Sequence, residues 1–409
     1  MRRKFPALLH IMFAMALLLS ACGPAATPTA VPAPTKPAAA APTTAPAAAA
    51  PPTAAPAVKP ADPTKPAEAA KPADPTKPAV AAAPTTAPAA PAAKPGAALK
   101  VGLVTDVGKV DDKSFNQSAW EGVQRAQKEL GATVKFLETT DPKDYSKNIE
   151  QFATDNYDII VTVGFALGQG TQDAAKKYPK IKFIGVDQFQ DKDTENLAGL
   201  IFDEDKAGYL AGVLAASITK SGTIGQVLGT PIVPPVEKFG FGYIAGAKAT
   251  KADIKILSAC HPGGLAKGFT DPDWGKSTTL QMIDQKADVV FAAGGQTGNG
   301  GLIAANEKKI MGIGVDTDQY LTLPEVKSSL VSSSMKLITP GVFNLIKGIQ
   351  ESKFKGGNVV GDVGLAPFHD LDGAVPAAVK TKLQDVDKGL KDGSIKVGFV
   401  KPSGNCPQP

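Results

Sequence analysis

The chain has 409 residues, a length that excludes a single small domain and predicts two or three. Of its formal net charge of +5, residues 1–21 carry +3 and residues 22–97 carry another +3, which leaves −1 for residues 98–409. A nearly neutral folded part argues against nucleic-acid binding, because nucleic-acid-binding proteins concentrate positive charge on one surface.

The N-terminus has the pattern of a secretory signal peptide. Basic residues are followed by the apolar run 7–19, which is too short to span a membrane, and then by small residues. Leu19-Ser20-Ala21-Cys22 matches the lipobox of bacterial lipoproteins, in which the cysteine is lipidated and becomes the new N-terminus. An ordinary signal peptide with an incidental cysteine is the alternative. We expect residues 1–21 to be removed and Cys22 to anchor an exported protein to the extracytoplasmic side of the cell membrane.

Residues 22–97 are predicted to form a disordered tether after the lipidated cysteine. From residue 24 to residue 97 there is no Leu, Ile or aromatic residue, and KPADPTKPA occurs twice, at residues 59–67 and 71–79. Such an Ala/Pro/Thr-rich segment cannot bury enough apolar surface to offset the entropy of ordering it. A stalk that holds the folded part away from the membrane and low-complexity sequence without a tuned length both fit this composition.

From residue 98 onward, apolar strand-like runs alternate with helical patterns. This alternation predicts doubly wound parallel α/β sheets, and nine strands are more than one open sheet comfortably holds. The predicted strands are 99–104, 134–137, 159–163, 182–186, 198–202, 224–228, 254–257, 289–292 and 311–315. The predicted helices are 115–130, 145–155, 171–177, 206–218, 238–248, 277–285, 303–307 and 340–351.

We expect the domain of residues 98–409 to consist of two lobes. A new helix and a second strand series begin near Asp203, and the Ser-rich segment 328–334 precedes a helix that is interpreted as a crossing back to the first lobe. Two α/β lobes joined by several crossings resemble the type I periplasmic binding protein architecture, in which a hinge closes the lobes on a ligand. The predicted division is lobe 1 at about residues 98–202 and 335–355, and lobe 2 at about residues 203–334 and 356–409.

Polar side chains follow the first predicted strand. Open α/β sheets bind ligands at the carboxyl ends of their strands, and there this chain has Asp106, Asp111, Asp112, Phe115 and Asn116. Ser114 is predicted to cap the following helix, with Gln117 completing a capping box. These residues predict the polar edge of a pocket with one aromatic ring.

The candidates for catalysis are poor. His261 and His369 are not spaced as metal ligands, and the pair Cys260-His261 is weak evidence for a metal. Residues 294–301 are glycine-rich between a strand and a helix but lack the Lys-Ser/Thr of a P-loop. Close approach of this backbone to a polar ligand is the favoured use, and a tight turn without a ligand is the alternative. We therefore expect no enzyme activity, no metal and no cofactor.

Several motifs in a fixed order resemble the basic membrane protein family of lipoproteins, which are nucleoside receptors of ATP-driven importers, of the purine nucleoside receptor A type. The resemblance covers about residues 99–400. The first motif is Asp106-x-Gly108-x-x-Asp111-Asp112-Lys113-Ser114-Phe115-Asn116, and the others are at 242–248, 269–276, 287–290, 294–301 and 313–319.

The resemblance implies a ligand site. In the family, two phenylalanines sandwich a purine, while carboxylates, a glycine amide and a lysine hold the base and the ribose. Trp274 is an alternative to Phe269 as the second ring, and Gly295 an alternative to Gly294. By position the ligand-binding residues are Asp106, Phe115, Asn116, Asp187, Phe269, Gly294, Asp316 and Lys336.

These observations together predict a monomeric, lipid-anchored substrate-binding protein that delivers a nucleoside to an ABC permease driven by its ATPase. A sensory receptor that reports the same ligand to a signalling partner is the alternative, and a nucleoside hydrolase is disfavoured because the acid/base residues are missing. Cys260 and Cys406 remain in an oxidising compartment once Cys22 is lipidated, and we expect them to form a disulfide that ties down the C-terminal tail.

Overall fold

The computed structural model describes residues 98–409, so the predicted signal peptide, Cys22 and the tether lie outside the described residues. This part of the chain contains no helix that is long and apolar enough to cross a membrane. The strands are β1 (Lys100–Val107), β2 (Thr133–Thr139), β3 (Ile159–Val163), β4 (Lys182–Val186), β5 (Leu197–Phe202), β6 (Thr223–Leu228), β7 (Lys255–Cys260), β8 (Val289–Ala293), β9 (Met311–Asp316), β10 (Leu330–Lys336), β11 (Gly357–Gly361) and β12 (Val363–Leu365). The α-helices are α1 (Phe115–Leu130), α2 (Tyr145–Thr154), α3 (Gly168–Lys177), α4 (Glu204–Ile218), α5 (Pro234–Thr250), α6 (Gly264–Lys267), α7 (Pro272–Asp284), α8 (Gly295–Glu307), α9 (Gln319–Thr322), α10 (Ile338–Gln350) and α11 (Ala377–Asp392).

The strands form two six-stranded sheets, one in each lobe. The first sheet has the order β11-β5-β4-β3-β1-β2, and all its pairs are parallel. The second has the order β12-β10-β9-β8-β6-β7, and only the edge pair of β10 and β12 is antiparallel. The central strands are buried along their whole length, as strands covered by helices on both faces must be. The predicted α/β fold of two doubly wound lobes is confirmed.

The strands and helices differ from the predicted ones mainly near the C-terminus. The Ser-rich segment interpreted as a crossing is strand β10, in which Ser332, Ser333 and Ser334 are buried. Strand β11 pairs with β5 of the first sheet, although the predicted division placed residues from 356 onward in lobe 2. The chain therefore crosses between the lobes near Asp203, between β10 and α10, and between β11 and β12.

The N-terminal cap of α1 also differs from the prediction. The carboxylate of Asp112 accepts hydrogen bonds from the backbone N–H groups of Ser114, Asn116 and Gln117, at 2.9 to 3.1 Å. The side chain of Ser114 makes no capping bond, so the predicted capping box is wrong. Asp112 reaches the helix end because Lys113, with φ 65°, turns the backbone between them. This leaves the Ser114 hydroxyl free for a contact with the other lobe.

Helix α5 is held on two sides in lobe 2. It packs closely on α4, since a Cβ on Gly212 or Gly246 would lie 2.1 Å from a carbonyl oxygen of the other helix. On its other side, the Glu237 carboxylate accepts hydrogen bonds from the backbone N–H groups of Ser403 and Gly404 and from the Ser403 hydroxyl.

The C-terminal tail is also covalently attached to lobe 2. Cys260, the last residue of β7, forms a disulfide with Cys406, and their Cα atoms lie 5.6 Å apart. The tail thereby packs near the first turns of α5, whose Val236 and Phe239 line a cleft between the two sheets.

Candidate functional site

A cleft lies between the carboxyl ends of the two sheets. The polar side of the cleft is formed by residues at the carboxyl ends of β1, β4, β9 and β10. The apolar side is formed mainly by α5 and the loop before α7. Trp274 lies outside the lining and packs edge-on against His261, with ring centroids 4.7 Å apart. All eight residues that the family resemblance assigns to the ligand line this cleft: Asp106, Phe115, Asn116, Asp187, Phe269, Gly294, Asp316 and Lys336.

One polar group that lines the cleft is a pair of side chains in lobe 1. Asn116, in the first turn of α1, donates from Nδ2 to Oδ1 of Asp106 at 3.2 Å. The Asn116 Oδ1 is buried and has no hydrogen-bond partner among the described residues. Burial raises the pKa of Asp106 to about 8, and the charges of Asp112 and Asp187 add to this, while the hydrogen bond from Asn116 opposes it. At neutral pH this carboxyl group is therefore mostly protonated and can both donate and accept.

A second polar group is an ion cluster around Lys336, at the end of β10. The Lys336 Nζ lies 2.6 Å from Oδ2 of Asp187, 3.7 Å from Oε1 of Glu204 and 3.8 Å from Oδ1 of Asp316. Burial alone would lower the pKa of Lys336, but the three carboxylates outweigh it and raise the pKa above its usual range. The ammonium is therefore charged, and it sits 4.6 Å from the ring centroid of Phe115.

The two aspartates of this cluster occupy equivalent places in the two lobes. Asp187 follows β4 in the first sheet and Asp316 ends β9 in the second, with φ of 59° and 66°. The left-handed backbone turns both carboxylates toward the cleft. This conformation is strained for most residue types other than glycine. Burial raises the pKa of both, and Oδ1 of Asp187 has no hydrogen-bond partner among the described residues. This oxygen is therefore available to accept from a ligand.

The apolar surfaces come from both lobes. Phe115 belongs to lobe 1 and Phe269 to the loop before α7 in lobe 2. Phe269 packs directly over Gly229, where a Cβ would lie 2.4 Å from the ring. The glycine-rich segment has two roles. Gly294 and Gly295 line the cleft, whereas Gly300, in the body of α8, allows close packing on α7.

Two polar residues of the cleft and its ion cluster, Tyr145 and Glu204, were not predicted from the sequence. Tyr145, at the start of α2, lines the cleft, and its hydroxyl accepts the Val107 N–H at 3.3 Å. Glu204 contacts Lys336 from the start of α4. Asp112, which the sequence did place at the edge of the pocket, lines the cleft near the cap of α1. Tyr145 could have been recognised because it follows the strand next to β1, where the carboxyl-end rule also applies. The same rule applies to Glu204, which begins α4 two residues after β5.

The arrangement is suited to binding a small molecule. Within residues 98–409, no group of three or more His, Cys, Asp or Glu side chains is placed to hold a metal ion. The cleft combines flat apolar rings with two groups of buried hydrogen-bonding side chains. It can therefore hold a small, largely uncharged molecule that has an aromatic part and several hydroxyl or amide groups.

Comparisons with known proteins give matches over most of the described part of the chain. Residues 99–365 match a family model described as "ABC transporter substrate-binding protein PnrA-like". The chain is similar to the ABC transporter nucleoside-binding protein BmpA of Lactococcus lactis, with 33% identity over 323 residues that cover 73% of this chain and 89% of the relative. It is also similar to an uncharacterized lipoprotein of Pyrococcus abyssi, with 32% identity over 293 residues that cover 67% of this chain and 70% of the relative.

A solved structure has the same fold. The solute-binding protein of an ABC transporter system from Aeropyrum pernix superposes with a TM-score of 0.66 at 24% identity, over 75% of this chain and 94% of the other. At this identity the likeness concerns the fold alone, and it agrees with two α/β lobes around a cleft.

Proposed function

Because this chain belongs to the PnrA-like family of ABC transporter substrate-binding proteins, we propose that it binds a nucleoside, preferably a purine nucleoside, in the cleft between its lobes. The observation that carries the proposal is that two phenylalanines from opposite lobes line the same cleft as six hydrogen-bonding positions. The name of the Lactococcus lactis relative, a nucleoside-binding protein, supports the same class of ligand.

The base is proposed to lie between Phe115 and Phe269. Base–aromatic stacking contributes about 1–3 kcal/mol for each base. Asp106 and Asn116 then face the edge of the base, where the protonated carboxyl group and the unpaired Asn116 Oδ1 supply both a donor and acceptors. A purine presents donors and acceptors along this edge, so the pair can be satisfied without water.

The ribose is proposed to lie at the ion cluster. Its hydroxyl groups can donate to Asp187 and Asp316 and accept from Lys336 and from the backbone N–H of Gly294. The three carboxylates of the cluster outnumber the two lysines that contact them, Lys336 and Lys238, the latter 3.1 Å from Glu204. A phosphate group would meet like charges at short distance, so the cleft should reject nucleotides and accept nucleosides.

We further propose that the protein is lipid-anchored through Cys22 on the extracytoplasmic side and delivers its ligand to the permease of an ABC importer with its ATPase. The lipobox-like sequence and the relative named as a lipoprotein support this location. Lobe closure on the ligand would create the surface that the permease recognises, because only the closed form brings both lobes to one face.

Titration calorimetry with a panel of ligands tests the proposal. Guanosine, inosine, adenosine, cytidine, guanine and guanosine monophosphate are compared on one preparation. We expect the purine nucleosides to bind more tightly than cytidine and the free base, and the monophosphate to bind at least about tenfold more weakly than guanosine. A protein that binds none of the nucleosides would refute the proposed ligand and leave the fold assignment intact.

A further inference from the structure

The loop between β1 and α1 makes direct contacts with lobe 2. The backbone carbonyl of Lys113 accepts hydrogen bonds from Oγ1 of Thr322 at 2.7 Å and from Nε2 of Gln319 at 3.2 Å. The carbonyl of the preceding Asp112 accepts one from Nδ2 of Asn299 at 2.8 Å. Three side chains of lobe 2 thus hold two consecutive carbonyls of lobe 1.

The lobe 2 side of this contact is a built network. Gln319 donates from Nε2 to Oδ1 of Asn299 at 2.8 Å, and its Oε1 accepts the backbone N–H of Val315 at 2.9 Å. Gln319 is 1% exposed and Asn299 is 7% exposed. Hydrogen bonds within lobe 2 therefore orient the Gln319 and Asn299 side chains that contact the loop of lobe 1.

The lobe 1 side is equally fixed. Asp112 caps α1 through three backbone N–H groups, and Lys113 holds the left-handed conformation that links this cap to the helix. The two carbonyls therefore point outward from a rigid turn. None of Lys113, Asn299, Gln319 and Thr322 lines the cleft. Their contacts depend on the position of one lobe relative to the other and not on a ligand.

A fourth bond connects this contact to the cleft. The hydroxyl of Ser114, freed from capping, donates to Oδ2 of Asp316 at 2.7 Å across the lobes. Asp316 lines the cleft, so a shift of the loop also changes the orientation of the Asp316 carboxylate that faces a ligand.

We propose that Asn299, Gln319 and Thr322 form an interlobe latch that holds the loop of residues 108–114 and thereby sets how long the cleft stays closed. Opening the cleft breaks the three bonds to Asp112 and Lys113, and leaves the latch side chains to be hydrated. The latch residues are positioning residues, since they act on the ligand only through the closed state. The effect of the latch on ligand release rests on the proposed function, whereas its effect on closure does not.

The test compares two threonines that make the same kind of bond. Thr322→Val removes the hydroxyl that joins the lobes, while Thr339→Val removes a hydroxyl that donates to the Ser118 carbonyl at 2.8 Å within lobe 1. Stopped-flow binding of guanosine to the whole chain is measured for both variants. We expect Thr322→Val to release guanosine about 2- to 10-fold faster with an almost unchanged association rate, and Thr339→Val to behave like wild type. Equal release rates in all three proteins would overturn the latch.

A second measurement reports lobe closure directly, with and without a bound ligand. Cysteines are introduced at two exposed positions, Gln169 of lobe 1 and Lys267 of lobe 2, and each is spin-labelled. The distribution of distances between the two labels is then recorded without guanosine and at several guanosine concentrations. We expect a smaller closed population in Thr322→Val, and a still smaller one after Asn299→Ala is added, than in Thr339→Val. Identical distributions at every concentration would refute the latch. If wild type binds no nucleoside but the distributions differ, the proposed ligand fails and the latch stands.

Discussion

Replacing Lys336 by Met should destabilise the protein strongly, because it removes the cation that contacts three buried carboxylates. Nζ lies 2.6 Å from Asp187, and Lys336, Asp187 and Glu204 have side chains at most 5% exposed. Removing one partner of a buried ion pair costs about 3–5 kcal/mol, which for a domain of this size lowers the melting temperature by about 6–12 °C.

The loss of stability in Lys336→Met should depend on pH in a defined direction. Burial already raises the pKa of Asp187, Asp316 and Glu204, the last to about 6. Without Lys336 these pKa values rise further, so the folded variant holds protons that the unfolded chain releases, and its stability falls as the pH rises. The loss of melting temperature relative to wild type should therefore be smaller at about pH 5 than at about pH 8. Differential scanning calorimetry at the two pH values measures it.

Two further variants make this reasoning refutable. Lys336→Met combined with Asp187→Asn should recover part of the stability, since the double variant leaves one fewer buried charge unpaired. Lys206→Met is the control, because Lys206 pairs at 2.7 Å with Asp203 where both side chains are at least 34% exposed, and such a pair contributes about 0–1 kcal/mol. If Lys336→Met costs no more than Lys206→Met, or costs the same at both pH values, the cluster is not a buried ion cluster in solution.

Three other predictions concern the site and the tail. Asp106 has a folded pKa of about 8 against its ordinary 3.8, so stability should fall as the pH rises toward 8, and thermal melts of Asp106→Asn should lose that part of the slope. Asp316→Asn should weaken guanosine binding by about tenfold or more and guanine binding much less, because its proposed partner is the ribose, and calorimetry with both ligands checks this. Replacing Cys260 and Cys406 by Ser should reduce the free energy of unfolding by about 2–5 kcal/mol in denaturant titrations, and an unchanged midpoint would show that the tail adds no stability.

The elements that could be predicted from the sequence are those with a strong local signal. Strands β3 and β4 have their predicted bounds, because a short apolar run between turn residues strongly indicates a buried strand in an α/β protein. Helix α1 ends at Gly131 as predicted, where φ is 72° and only glycine is unstrained. Strand β10 was missed because its middle is three serines, and a buried serine is recognisable only from its partners, such as the Ala366 carbonyl that accepts the Ser332 hydroxyl.

The candidate site shows the same limit. The rule that ligands bind at strand carboxyl ends led from the residues themselves to Asp106, Phe115 and Asn116, which lie together in the cleft. Lys336 came only from the family resemblance, because the strand that carries it was not recognised. The contacts of the proposed latch could not be predicted, since Gln319 and Lys113 are separated by 206 residues and come together only in the folded chain.

The central claim is that a purine ring stacks in the cleft, and the affinity of Phe115→Leu for guanosine tests it most directly. Leucine keeps the apolar character and most of the volume of Phe115 but has no aromatic face, so folding should survive while stacking is lost. Calorimetry should show guanosine binding weakened by about 1–3 kcal/mol, or roughly 5- to 150-fold, with a melting temperature close to that of wild type. Unchanged guanosine affinity in a folded Phe115→Leu protein would contradict the claim.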